Sequence, residues 1–217
     1  VMILVVGSEK GGTGKTTIST NLAVMMAQNS EGGVLLVDSD PQGSAMEFNN
    51  VRDEEGHSPS MTCVKITGKS VASEIRKLSP KFDHVVIDVG GRDTAALRSA
   101  MVIADVLIVP FLPSQYDAWS LEHMDSLIED AQGFNPDLAP LLVMNKVDTN
   151  PQIKLADEAR KFVKDLKNLK MEDLRLANRV AFRRSAAEGQ TVNELTKKDP
   201  KAAGELLRVY DEVMKNA

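Results

Sequence analysis

Ser8 to Thr17 reads SEKGGTGKTT and follows directly on the apolar run Ile3–Val6. A glycine-rich turn between a buried strand and a helix leaves few folds open. Gly11, Gly12 and Gly14 let backbone N–H groups turn inward around an anion, and a helix starting near Lys15 adds its positive dipole end. In such a loop Lys15 reaches β- and γ-phosphates, the Thr16 hydroxyl meets Mg2+, and Thr17 is placed for the α-phosphate. The usual pattern sets four residues between its two outer glycines. Here Glu9 stands at the first of those positions, and a second lysine, Lys10, opens the loop.

The rest of the chain supplies what such a loop needs. Short apolar runs predict strands at Met2–Val6, Val34–Val37, Met61–Ile66, His84–Val89, Val106–Pro110 and Leu141–Asn145, with a weaker one near Leu176–Ala181. Helical patterns lie between and after them, at Lys15–Gln28, Ser70–Leu78, Thr94–Ile103, Ala118–Gln132, Ile153–Leu169, Ala186–Leu195 and Pro200–Asn216. Alternation of this kind predicts an α/β, doubly wound, mostly parallel sheet with helices on both faces, a P-loop NTPase domain spanning 1–217. The 42% apolar content of 217 residues suits one such core. No stretch approaches ~18 consecutive apolar residues, the start resembles no signal peptide, and the lone Cys63 excludes an intrachain disulfide. The expectation is a cytoplasmic protein that begins at its first strand.

Three carboxylates fall at strand ends, where open α/β sheets bind ligands: Asp38 and Asp40 in VDSDPQ, and Asp88 in HVVIDV. Asp88 fits a residue that holds a metal through water. His57, His84 and His123 show no metal-ligand spacing. Met144–Asp148, MNKVD, spells the Asn-Lys-x-Asp signature of many GTPases, and Asp88-Val89-Gly90-Gly91 satisfies their two-point Asp-x-x-Gly switch. The paired glycines predict a mobile segment.

KGGTGKTT resembles the deviant phosphate loop of the ParA/MinD family of partition and positioning ATPases. VLLVDSDPQGS, HVVIDVGG, VPFLPSQYD and RVAFRRSAAEGQTVNEL continue the likeness in family order, most closely to small plasmid-partition ParA proteins without an N-terminal helix-turn-helix. The resemblance implies ATP and Mg2+ as cofactors, bound by Lys10, Gly11, Gly12, Thr13, Gly14, Lys15, Thr16, Thr17 and an adenine-contacting Asn145. Thr16, Asp38 and Asp88 would attend the metal. Lys10, Lys15 and Asp40 would be catalytic: Asp40 orients the attacking water, and Lys10 crosses to the partner's phosphates in a nucleotide-sandwich homodimer. A cation from across the interface offsets the charge of two ATP–Mg complexes, so pairing becomes conditional on ATP. The family's proline after Asp88 is absent. Its likeness favours ATP over the guanine reading of MNKVD.

Charge is uneven. Residues 1–150 hold 11 Lys/Arg against 20 Asp/Glu, whereas 151–217 hold 15 against 11. Arg179, Arg183, Arg184, Lys197, Lys198 and Lys201 concentrate in one stretch, and the resemblance implies that Arg179, Arg183, Arg184, Lys197 and Lys198 bind DNA without sequence preference. Lys154, Arg160, Lys161, Lys164 and Lys167 interleave with acids and read as solvated. The last helix carries mixed charge on its polar face, so it is expected to pack on the domain, with no membrane partner. The function implied is a DNA-partition ATPase, nucleoid-associated and stimulated by a centromere-binding ParB-like partner. The alternatives are a MinD-like or cargo-positioning ATPase and a GTP-using relative. An iron-sulfur reductase of this loop class is poorly supported, because Cys63 alone cannot give two thiolates per subunit.

Overall fold

The structure, a computed structural model, describes residues 1–113, 115–150, 155–169 and 173–217; the side chains of 115–119 and 155–158 lie outside that description. Its strands are β1 (Met2–Val6), β2 (Val34–Asp38), β3 (Thr62–Lys65), β4 (His84–Asp88), β5 (Val106–Phe111), β6 (Ala139–Val147) and β7 (Arg175–Ala177). They form one sheet in the order β3-β2-β4-β1-β5-β6-β7, and every adjacent pair is parallel. β1 lies between β4 and β5, where the winding reverses, and the crevice above its carboxyl end is the ligand position of such sheets. Register completes the placement: Asp88 pairs with Val6 on one side and with Asp38 on the other, so three strand ends meet at one height.

The helices are α1 (Lys15–Gln28), α2 (Ser44–Glu54), α3 (Val71–Leu78), α4 (Thr94–Met101), α5 (Gln115–Gln132), α6 (Leu155–Val163), α7 (Val180–Ala187) and α8 (Pro200–Lys215). Side chains of β1 alternate between two cores. Leu4 and Val6 enter the one built with α1, α2, α7 and α8, while Val5 enters the one built with α3 to α6. Each fully buried Val or Leu contributes roughly 1.5–3 kcal/mol. α1 is buried from Ile18 to Ala27, including the polar Ser19, Thr20 and Asn21, whose side chains bond Thr16 O, Thr16 O and Thr17 O. α8 starts on Asp199, whose carboxylate accepts the N–H groups of Lys201 and Ala202, with Pro200 in the first turn. Its apolar stripe, Ala202, Leu206, Val209 and Val213, is fully buried. The last helix thus packs on the sheet, as its mixed charge implied. Among the described residues no helix is long and apolar enough to cross a membrane.

Three elements depart from the sequence reading. α2 was not expected. Its core-facing positions keep helical spacing at Ala45, Phe48, Asn49 and Arg52, but two of the four are polar, so apolar periodicity is lost. α6 ends at Val163 instead of Leu169, because the Asp125 carboxylate of α5 takes the N–H groups of Lys167, Asn168 and Leu169. The expected start of that helix at Ile153, and Lys154, lie outside the described residues. α7 occupies Val180–Ala187, where a strand end and then a later helix were expected. Gly189, at φ 62°, terminates it, and a Cβ there would stand 2.5 Å from the Arg52 nitrogen.

Arg52 joins these surprises. Its side chain is fully buried and donates to Pro59 O, Gly189 O and both oxygens of Glu194, each at 2.9–3.0 Å. Burial alone would raise the Glu194 pKa, but the Arg52 bonds and the Thr191 N–H hold it below its ordinary value. Removing one partner leaves a buried charge uncompensated, so Glu194→Ala should cost about 3 kcal/mol. A urea midpoint unchanged from the wild type would show that the pair contributes nothing.

Candidate nucleotide-binding site

The loop between β1 and α1 closes on itself before any ligand is considered. Gly12 and Gly14 adopt φ of 78° and 92°, the left-handed region that glycine enters without penalty. Thr13 turns inward, 1% exposed, with its hydroxyl 3.0 Å from that of Ser8. Lys15 Nζ donates to the Lys10 carbonyl at 2.8 Å, arching over the turn. Burial pushes the Lys15 pKa down, and Asp88 and Asp40 partly restore it. Glu9, at the position where the usual loop has glycine, pairs with His123 of α5 and so moors the loop to that helix.

The metal-side groups converge through the strand register. Thr16 Oγ1 donates to Asp88 Oδ2 at 2.7 Å. Having spent its proton there, that hydroxyl presents lone pairs to a cation. Asp88 is 1% exposed, and desolvation pushes its pKa up to about 7 despite the Thr16 bond. Its Oδ1 is buried with no hydrogen-bond partner among the described residues. A hydrated Mg2+ beside Thr16 would satisfy that oxygen and favour the ionised carboxylate, so the residues present fit the ion. Asp38 is fully buried, and its two oxygens take the N–H groups of Asp40, at 3.0 Å, and Met46, at 2.8 Å. It therefore sets Asp40 and the start of α2. Asp40 is half-buried, its Oδ1 fixed by the Gln42 N–H at 2.9 Å.

Gly90 and Gly91 come two and three residues after Asp88. Neither is among the positive-φ glycines. A Cβ at Gly90 would stand 2.9 Å from Asp40 Cγ, and one at Gly91 would stand 2.9 Å from the Lys10 carbonyl carbon. The pair is glycine because the segment lies flat against Asp40 and the loop.

Asn145 and Lys146 complete the frame from the end of β6. Asn145 Nδ2 donates to Thr13 O at 2.7 Å, and its Oδ1 accepts the Lys146 N–H. One N–H and one lone pair of the amide remain for a base. Lys146, at φ 53°, donates Nζ to Gly12 O at 2.8 Å. The Asn-Lys pair of MNKVD thus grips the loop, a role the motif's spelling alone did not assign to Lys146.

A cavity of about 520 Å³ lies over this frame, within the usual range for a small-molecule site. Its lining takes in Gly11, Gly12, Gly14 and Lys15 to Thr17, then Asp40, Gly91, Asn145 and Lys146, and on the far side Leu176 to Arg179 with Phe182 and Arg183. Lys10 is not among the described lining residues. The five cations expected at DNA divide. Arg183, Arg184, Lys197 and Lys198 are exposed, whereas Arg179 is turned into an ion pair with Glu205 at 2.6 Å, its side chain 17% exposed. Its Nε and Nη2 both meet the Glu205 carboxylate.

The description CobQ/CobB/MinD/ParA nucleotide binding domain matches residues 4–192. Maintenance of carboxysome distribution protein A from Halothiobacillus neapolitanus is 29% identical over 212 residues, 97% of this chain and 95% of that protein. An ATP complex of McdA from Cyanothece superposes with a TM-score of 0.75 at 16% identity, covering 99% of this chain and 96% of that one. A plasmid partition protein of Borrelia burgdorferi bound to AMPPNP gives 0.68 at 19% identity, covering 99% and 97%. The structural likenesses speak to fold alone, and the family match carries the assignment: this chain belongs to the CobQ/CobB/MinD/ParA nucleotide-binding domain family.

Proposed function

We propose that the chain is a single-domain ParA-type ATPase whose ATP–Mg2+ form pairs into a nucleotide-sandwich dimer, binds DNA without sequence preference, and is released by slow, partner-stimulated hydrolysis. One observation carries the reading. Two lysines lie five residues apart in one loop, and only Lys15 lines the nucleotide cavity. Lys10 stands half-buried outside that lining, which suits a cation that serves the partner's phosphates.

The roles follow from placement. Backbone N–H groups of Gly11 to Gly14 and the start of α1 cradle the phosphates, Lys15 neutralises the β- and γ-phosphates, and Thr17 meets the α-phosphate. Thr16, with Asp88 through water, holds Mg2+, which supplies charge neutralisation on the phosphoryl oxygens. Asp40 orients the attacking water, held in place by Asp38. Asn145 contacts adenine with the half of its amide that the loop leaves unused. Phosphoryl transfer needs positioning and charge more than covalent chemistry, so no nucleophilic side chain is required.

DNA binding falls to Arg183, Arg184, Lys197 and Lys198, doubled by pairing. The test is retention on DNA with ATP, ADP or no nucleotide across a salt series. The ATP form should bind at least ~10-fold more tightly than the ADP form, because two patches act together. Its log affinity should fall steeply with log salt, by about 0.9 per phosphate contacted. Equal retention in all three states would overturn the proposal. On cargo, the notable observation is the nearly full-length likeness to a protein named for carboxysome distribution. It favours a protein assembly as the object positioned, alongside the plasmid reading with its centromere-binding partner.

A further inference from the structure

Glu205 belongs to α8, far in sequence from every residue given a role at the nucleotide, yet it bonds two residues that line the nucleotide cavity, Ala177 and Arg179. Its Oε2 accepts the Ala177 N–H at 3.0 Å. Arg179 donates Nη2 to Oε1 at 2.6 Å, and Nε lies 3.2 Å from each oxygen. Only 12% of the Glu205 side chain is exposed, and these bonds raise the Arg179 pKa. A largely buried carboxylate so engaged is stronger than a surface pair.

The wall it holds is otherwise anchored by the buried Leu176 and a short edge ladder. β7 has three residues, lies at the sheet edge, and pairs with β6 through an irregular register. A strand so short contributes few ladder bonds. Beyond it, the Asn178 N–H reaches Val147 O at 2.9 Å, which ties the wall to the segment carrying Asn145 and Lys146. Leu176 to Arg179 line the cavity from the end of β7, three strands across the sheet from β1 and its phosphate loop. With the phosphates seated on Gly11 to Thr17, that side is left to the sugar and base.

We propose that Glu205 is the positioning residue for the nucleoside end of the bound nucleotide: it locks Ala177 and Arg179 as a preformed wall and commits Arg179 to the nucleotide pocket instead of DNA. Rigid support beneath a contacting wall lowers the ordering cost of binding. The inference rests on the nucleotide reading of the cavity, so the test separates the two.

The experiment compares Mg2+-dependent binding of ATP and of inorganic tripolyphosphate, which lacks the nucleoside, to the wild type, Glu205→Gln and Glu205→Ala. Glu205→Ala should bind ATP about tenfold more weakly, the equivalent of about 1.4 kcal/mol, with tripolyphosphate affinity unchanged. Glu205→Gln, which keeps an acceptor for the Ala177 N–H but loses the charge, should fall between and serves alone if the alanine variant does not fold. An equal loss for both ligands would mark a merely structural residue and overturn the proposal, as would unchanged ATP affinity. Wild-type protein that binds neither ligand would instead refute the nucleotide site itself.

Discussion

Lys10→Ala is expected to bind ATP–Mg2+ as the wild type does, yet to dimerise on ATP about 1,000-fold more weakly. Truncating one member of a desolvated charge pair costs roughly 2–5 kcal/mol, and a two-fold dimer loses the contact twice. Binding should survive because the structure separates the lysines: Lys15 lies in the cavity, while Lys10 contributes its carbonyl to the Lys15 ammonium. That carbonyl is backbone, so alanine keeps it. Light scattering with ATP, ADP and no nucleotide reads the effect. Persistent dimers in the variant would refute the cross-interface role, and loss of ATP binding would place Lys10 at its own nucleotide.

Asp40→Ala should slow hydrolysis by about 10²–10⁴-fold, the range for a positioned proton acceptor, while ATP binding and pairing persist. The variant would then stay on DNA through a chase that releases the wild type. The geometry supports orientation more than simple packing. Asp40 lines the cavity, its own N–H is fixed by Asp38, and one carboxylate oxygen is held by Gln42. Asp40→Asn keeps the volume and the Gln42 bond but not the charge. It should therefore fail as alanine does, whereas near-normal turnover in either variant excludes Asp40 as the water organiser.

Most of the frame could be read from the sequence because it rests on local signals. Continuous Val/Ile/Leu runs marked buried parallel strands, and the glycine loop marked the one strand-to-helix turn that matters. What escaped depends on contacts between distant residues. α2 buries Asn49 and Arg52, and the arginine is acceptable there only because Glu194, 142 residues later, meets it. Periodicity cannot register a core position whose partner is so remote. Arg179 is the mirror case: counted with its neighbours it reads as surface charge, but Glu205 pairs with it beside the cavity. Gly90 and Gly91 were legible as glycines, yet whether they serve freedom of φ or closeness of approach is decided by Asp40 and Lys10 packing against them. His123 carried no spacing signal because its partner, Glu9, is a loop residue that the usual pattern would make glycine.

Subunit complementation tests the crossing lysine most directly. In a mixed dimer, the Lys10→Ala protomer keeps its own Asp40 and receives Lys10 from an Asp40→Ala partner, so one of the two nucleotides meets a full set of groups. Steady-state ATP hydrolysis should therefore reappear when the two inactive variants are mixed. A mixture no faster than the sum of its parents would contradict the account.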